Sequence, residues 1–236
     1  MGLEMLLTPV VGALAGGAMA WAVRGKSSSL LAPSVWKGPR KRRAIALTFD
    51  DGPSESTPAI LELLAANNAK ATFFLCGKNA ERLPRIARQV VDAGHEVGNH
   101  SYGHSRFDFR PRQFMSVDLQ DAQLAIAAAC GETPRLFRAP YGVRWFGLGE
   151  VQKELGLRGV MWTAIGLDWK LPPEKVARRL QAAAANGAIF CLHDGREIAA
   201  NPDVSATIGA LRILLPQLRQ KGFELVTVSD LLVQRP

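Results

Sequence analysis

The stretch ALTFDDGPS, from Ala46 to Ser54, sets two carboxylates, Asp50 and Asp51, side by side directly after an apolar run. Adjacent like charges repel, and neither is easily buried alone. The pair becomes useful if a divalent cation neutralises one carboxylate and leaves the other free to act as a base. Asp-Gly-Pro turns the chain here, so the two side chains need not point to opposite faces as on a regular strand. Read alone, DDGP is a solvated turn. His100 and His104 lie four apart in HSYGHS. On a helix they would share a face, a metal-ligand spacing, but the Gly and Ser fit a loop equally well, and alone they read as polar loop histidines. With a carboxylate from the first strand they form a His–His–Asp set. Three protein ligands with an open position for water is the catalytic metal pattern.

Other polar residues sit in comparable places. Arg138, before APYG, could pair with Asp50 and hold it ionised, or could make a surface salt bridge. The Pro140–Tyr141–Gly142 turn offers backbone N–H groups to a developing oxyanion. His193 follows an apolar strand and could titrate near neutrality, as a general acid must, with Asp168 or Asp194 to hold it. His95 precedes EVGN at a strand start and reads as structural. Cys191 falls on the same strand face as His193, but its apolar flank argues against an activated thiolate.

The elements that must position these groups alternate. Strand-like runs are AIALTF, ATFFLC, HEVGN, RLFRA, GVMWTAI, AIFCLH and ELVTV. Helix-like runs are TPAILELLAANN, with Thr57 as N-cap, then NAERLPRIARQVVDAG, PRQFMSVDLQDAQLAIAAACG, PEKVARRLQAAAANG and SATIGALRILLPQLRQKG. Strands apolar on both faces and separated by helices imply a parallel sheet, as a barrel or an open α/β sheet. Active sites of such folds lie at the C-terminal ends of strands. Five strand exits carry the polar groups named above, and that convergence weighs more than any single motif.

The chain has 236 residues and a net charge of +8. Seven basic residues but only one acid fall within residues 1–43, so the basicity belongs to that segment and no basic stripe for nucleic acid crosses the rest. The three cysteines, Cys76, Cys130 and Cys191, form no CxxC and read as buried free thiols. MLLTPVVGALAGGAMAWAV (Met5–Val23) carries no charge over nineteen residues, about a bilayer's width. The segment 1–23 is expected to be a membrane anchor or a cleaved signal; a misassigned start would explain its missing basic flank. Positive charges after Val23 favour a cytoplasmic domain, while export would place it on the opposite side. Residues 24–43 are expected to be a solvated basic linker, and 44–236 a catalytic domain.

TFDDGP, HSYGH, RAPYG, LDW and LHD occur in that order, and the set resembles the five motifs of the polysaccharide deacetylase family, the NodB-homology or carbohydrate esterase family 4 domain. The resemblance runs from about Ala44 to Leu232. It implies a distorted (β/α) barrel of about seven parallel strands and a metal-dependent deacetylase. On this resemblance Asp50 is the catalytic base. Asp51, His100 and His104 are ligands of a divalent metal, usually zinc. Arg138 orients the base, and the Tyr141 N–H helps form the oxyanion hole. Asp168 tunes His193, the catalytic acid, while Trp169 and Leu192 line the pocket for the acetyl methyl. One departure stands out: Ile165 occupies a fourth-motif position that is acidic in many members. The substrate implied is an N-acetylated glycan such as peptidoglycan or a chitin-like oligomer. An O-acetyl esterase, a cyclic-amide hydrolase and a non-catalytic glycan-binding relic remain alternatives. Glycoside hydrolysis is disfavoured, since neighbouring residues cannot readily flank a scissile bond.

Overall fold

The computed structural model describes residues 15–233. Residues 15–24 form helix α1. The elements that follow are β1 (Ser34–Val35), β2 (Ala44–Gly52), α2 (Thr57–Ala66), β3 (Thr72–Leu75), α3 (Gly77–Arg82), α4 (Pro84–Asp92), β4 (Glu96–Asn99) and α5 (Arg112–Cys130). After these come β5 (Leu136–Phe137), α6 (Leu148–Glu154), β6 (Arg158–Val160), β7 (Ala164–Ile165), α7 (Pro173–Ala182), β8 (Ala188–His193), α8 (Ser205–Gln220), β9 (Glu224–Val226) and α9 (Val228–Leu232). The sheet runs β1-β6-β5-β4-β3-β2-β8-β7, all pairings parallel. β9 lies beside the first half of β2 at Ala44–Ala46, where β3, paired from Thr48 onward, has not yet begun. Among the described residues no ladder joins β7 to β1, so this is an open, distorted (β/α) barrel.

β2 is buried along its whole length, as a strand covered on both faces must be. Ile45, Leu47 and Phe49 pack outward on leucines of α2 and α8, and Phe190 and Leu192 of β8 join them. The alternate residues Ala44, Ala46, Thr48 and Asp50 take the opposite, inward phase, where Ala44 and Ala46 meet Phe74 and Ile189. Small side chains at the barrel axis leave space, and the strand's polar end borders it.

Several expected elements divide. NAERLPRIARQVVDAG breaks at Leu83 into α3 and α4, because Pro84 starts a helix readily but cannot continue one. GVMWTAI splits into β6 and β7 around Met161–Thr163. Thr57 is the first helical residue rather than the N-cap; its hydroxyl accepts from the Ser54 N–H and donates to Asp194. α5 stops where expected, at Gly131, whose φ of 76° suits a residue without Cβ.

The segment expected to be a solvated linker is instead built into the fold. β1 pairs with β6, the Gly38 N–H donates to the Gly187 carbonyl, and Ala32 is buried beside Phe107 and Phe137. The buried Arg144 side chain donates to the carbonyls of Gly25 and Ser28, and its N–H donates to the Val23 carbonyl. A run rich in Ser, Pro and Lys carries little apolar periodicity, so its two-residue strand left no pattern to read. The expected anchor falls largely on residues 1–14, outside the described residues; no described helix is long and apolar enough to cross a membrane.

Candidate active site

Asp50 ends the regular part of β2, opposite His193 on β8 and Phe74 on β3. The register of β2 then shifts between Asp50 and Gly52, and Asp51 takes a φ of 72°. This left-handed residue breaks the strand alternation, and both carboxylates border one cavity of about 610 Å³. Of the nine non-glycine residues with positive φ among those described, four (Asp51, His104, Tyr141 and Glu197) line that cavity. Such backbone strain concentrates where side chains must be aimed rather than merely packed.

His100 follows β4, its N–H donating to the Leu75 carbonyl, and His104 lies on an irregular loop with φ 57°, so the four-residue spacing is not helical. Both rings nevertheless turn the same nitrogen toward Asp51: Nε2 of His100 is 3.3 Å and Nε2 of His104 3.0 Å from Oδ1. Nδ1 of His100 sits 2.7 Å from the Arg138 carbonyl, an acceptor only. Nδ1 therefore carries the proton, and Nε2 of the neutral ring presents a lone pair. Lone pair and carboxylate oxygen face one another, and Asp51 Oδ1 has no hydrogen-bond donor. A buried meeting of acceptors is unfavourable unless a cation sits among them. The other oxygen, Oδ2, is held by the Glu197 N–H at 2.8 Å. The trio thus fits a divalent metal.

Asp50 is held on both oxygens. Oδ1 accepts from Nη1 of Arg138 at 2.6 Å, and Oδ2 from the Cys191 thiol at 3.4 Å. Arg138 is fully buried and uses four of its five N–H donors: besides Asp50 it donates to Thr48 Oγ1 and to the carbonyls of Val160 and Met161, and its guanidinium lies 4.2 Å from the Phe74 ring centroid. The expected surface salt bridge is therefore excluded.

His193 places Nδ1 2.9 Å from Asp168 Oδ1. Asp168 Oδ2 accepts from the His193 N–H at 2.8 Å and the Thr207 hydroxyl at 2.5 Å. Burial pulls the imidazole's pKa down, but Asp168 overrides it and raises the group to about 9. Asp194, the alternative partner, turns away to Thr57 at 2.6 Å, and burial pushes its carboxyl up to about 7. His95 accepts from the Ala71 N–H far from the cavity, and burial lowers it to about 4, a structural neutral imidazole.

Tyr141, with φ 58°, turns its ring edge to His104 and its phenol to Glu197 at 2.6 Å; its N–H makes no hydrogen bond to the described chain. Trp169 lines the cavity and stands edge-on to His193. Leu192 does not line it. Strand alternation sends Leu192 outward into the helix-covered core and brings Cys191 inward, so Cys191 and Ile165 supply the apolar wall assigned to Leu192. Burial, then the Asp50 charge, pushes the Cys191 thiol well above its ordinary range, which removes it as a nucleophile.

Four contributors were missed from the sequence: Thr48, Thr207, Glu197 and Asn79, whose amide donates to the carbonyls of Asp51 and Glu197. Only Thr48 was readable in principle, being two residues before Asp50 and so in the same strand phase.

Comparison with known proteins agrees with this geometry. The chain is 36% identical over 202 residues to a peptidoglycan-N-acetylglucosamine deacetylase of Bacillus cereus, covering 84% of this chain and 92% of that one. It is 37% identical over 195 residues to a chitooligosaccharide deacetylase of Azorhizobium caulinodans, covering 79% and 93%. The crystal structure of a carbohydrate esterase family 4 pseudoenzyme from Bacillus anthracis superposes with a TM-score of 0.78 at 29% identity, covering 86% of this chain and 70% of that one. The polysaccharide deacetylase family model matches residues 37–160. Motifs, open barrel and family match converge, and the chain belongs to the polysaccharide deacetylase family.

Proposed function

We propose that the protein is a metal-dependent hydrolase that removes N-acetyl groups from a glycan and releases acetate, with peptidoglycan or a chitin-like oligomer as substrate. The observation that carries this reading is the register of Asp50 against His193 across one cavity, beside three acceptors converging at Asp51. Asp51, His100 and His104 would hold the metal, with zinc suited to a His–His–carboxylate set; bound there, it supplies Lewis acidity and a more acidic water.

The rest follows from the chain's own groups. Asp50, held in place by Arg138, takes a proton from the attacking water as its oxygen bonds to the acetyl carbon. The unpaired Tyr141 N–H donates to the carbonyl oxygen as charge gathers there. His193 carries a proton at neutral pH and passes it from Nε2 to the sugar nitrogen as the C–N bond breaks, leaving amine and acetate. Asp168 keeps the imidazole oriented through Nδ1. Trp169, Cys191 and Ile165 offer the acetyl methyl an apolar wall.

A relative of this fold is a pseudoenzyme, so assembly of the full set matters: Asp50, Asp51, His100, His104, Arg138, Asp168 and His193 are all present and in contact as chemistry requires. We also propose that residues 1–23 act as an anchor or export segment that brings the domain to the envelope. The test is acetate release by the full chain from N-acetylglucosamine oligomers and from peptidoglycan, with and without chelator, beside Asp50→Asn. Release that needs metal and disappears in the variant supports the reading. Release only from O-acetylated xylan or cyclic amides, as alcohol or ring-opened product, overturns it in favour of those alternatives.

A further inference from the structure

A second groove, of about 530 Å³, adjoins the catalytic cavity and shares Trp169 and Arg196 with it. Two cations border the groove, Arg196 and Lys170. The Arg196 guanidinium is fixed by carbonyls alone, Gly195 at 2.8 Å and Asp168 at 3.0 Å. Neither it nor Lys170 forms an ion pair among the described residues. Of the carboxylates at the groove, Asp168 is held by His193 and Thr207, while Asp203 accepts from the Ser205 N–H through Oδ1, is exposed, and has its charge within reach of the Arg196 guanidinium. The hydrogen bonds of the half-buried Arg196 reach only neutral carbonyls, so its fork remains open to a carboxylate, and with Lys170 the groove carries one cation more than Asp203 offsets.

We propose that this groove is an anion subsite which recognises a carboxylate on the sugar next to the one being deacetylated. This rests on the deacetylase reading and narrows it. Chitin-like oligomers are neutral, whereas peptidoglycan alternates its N-acetylglucosamine with a sugar bearing a lactyl carboxyl or the peptide attached there. Because Trp169 and Arg196 wall both spaces, a glycan seated in the cavity would bring its neighbouring sugar toward the groove.

The test compares kcat/KM of the metal-loaded full chain on three substrates of matched length: peptide-free acidic strands, the same strands with carboxyls reduced to alcohols, and a neutral N-acetylglucosamine oligomer. Wild type should prefer the acidic strands over the reduced ones about tenfold, chiefly through KM, and added salt should erode the preference. Arg196→Gln should remove most of that preference and Lys170→Gln, at an exposed position, should reduce it about threefold. An acidic-to-reduced ratio near one in wild type, or one unchanged in both variants, overturns the subsite. Absence of acetate release from all three substrates overturns the deacetylase reading itself, so the two failures are distinct.

Discussion

Two walls of the cavity hold their charges in opposite ways. On one, Asp50 and Arg138 form a sealed ion pair, both nearly inaccessible, with the guanidinium held by three further hydrogen bonds and a ring face. On the other, His193 stays partly exposed beside Trp169, and its charge depends on one carboxylate held by a single hydroxyl and a backbone N–H. The first wall fixes a base that must always be ionised, so it can be built like a core. The second carries a proton that must leave, so it has to be open and adjustable. Damage to the first should cost fold and activity together, and damage to the second should move a pH profile.

The largest effect should come from Arg138→Met. It leaves Asp50 buried and unpaired, so thermal or urea unfolding should report a loss of about 3–5 kcal/mol with no acetate release. Asp50→Asn removes the base and leaves the Arg138 guanidinium buried without its counter-charge; kcat should fall about a thousandfold and unfolding should again report a loss, of about 3 kcal/mol. Loss of activity in either variant with no loss of stability would end the distinction between the walls.

On the open wall the sign follows from His193. Its folded pKa, about 9, lies above the roughly 6.5 of a free imidazole. The stability this pair adds is therefore fully present below about pH 6.5 and lost as pH rises through about 9. Activity that needs the proton on His193 should show an alkaline limb in the same window. Asp168→Asn should move that limb down toward or below pH 6.5 and flatten the alkaline fall in melting temperature. Thr207→Val removes one donor to Asp168, which makes the carboxylate more basic and leaves the limb within about one pH unit of wild type; its stability cost should be about 1 kcal/mol. Smallest of all, Cys191→Ala removes a long, weak contact to Asp50 and should change kcat by no more than about threefold.

The sealed wall was more legible in the sequence than the open one. Asp50, Asp51, His100, His104 and Arg138 stand out because ionisable groups at the ends of apolar strands demand an explanation. The parallel sheet followed from apolar runs separated by amphipathic ones, which left barrel and open sheet undecided; the barrel came from the family resemblance. Glu197 and Thr207 were hidden, since a loop glutamate and a helix threonine are ordinary until the fold brings them to the site. The Leu192 assignment failed although strand alternation from His193 was enough to place Cys191 inward and Leu192 outward. Residues 24–43 failed for a different reason: their attachment is made by backbone pairing and by one distant arginine, neither of which leaves a hydrophobic pattern.

That attachment bears on how far the enzyme can reach. A free coil of twenty residues would let a domain roam roughly 25 Å from its point of attachment. Here β1 and the Arg144 clamp take up that slack, and α1 leaves the domain at a fixed place. If residues 1–23 anchor the chain, as proposed above, this attachment would make the anchor set the direction in which the cavity faces as well as its distance.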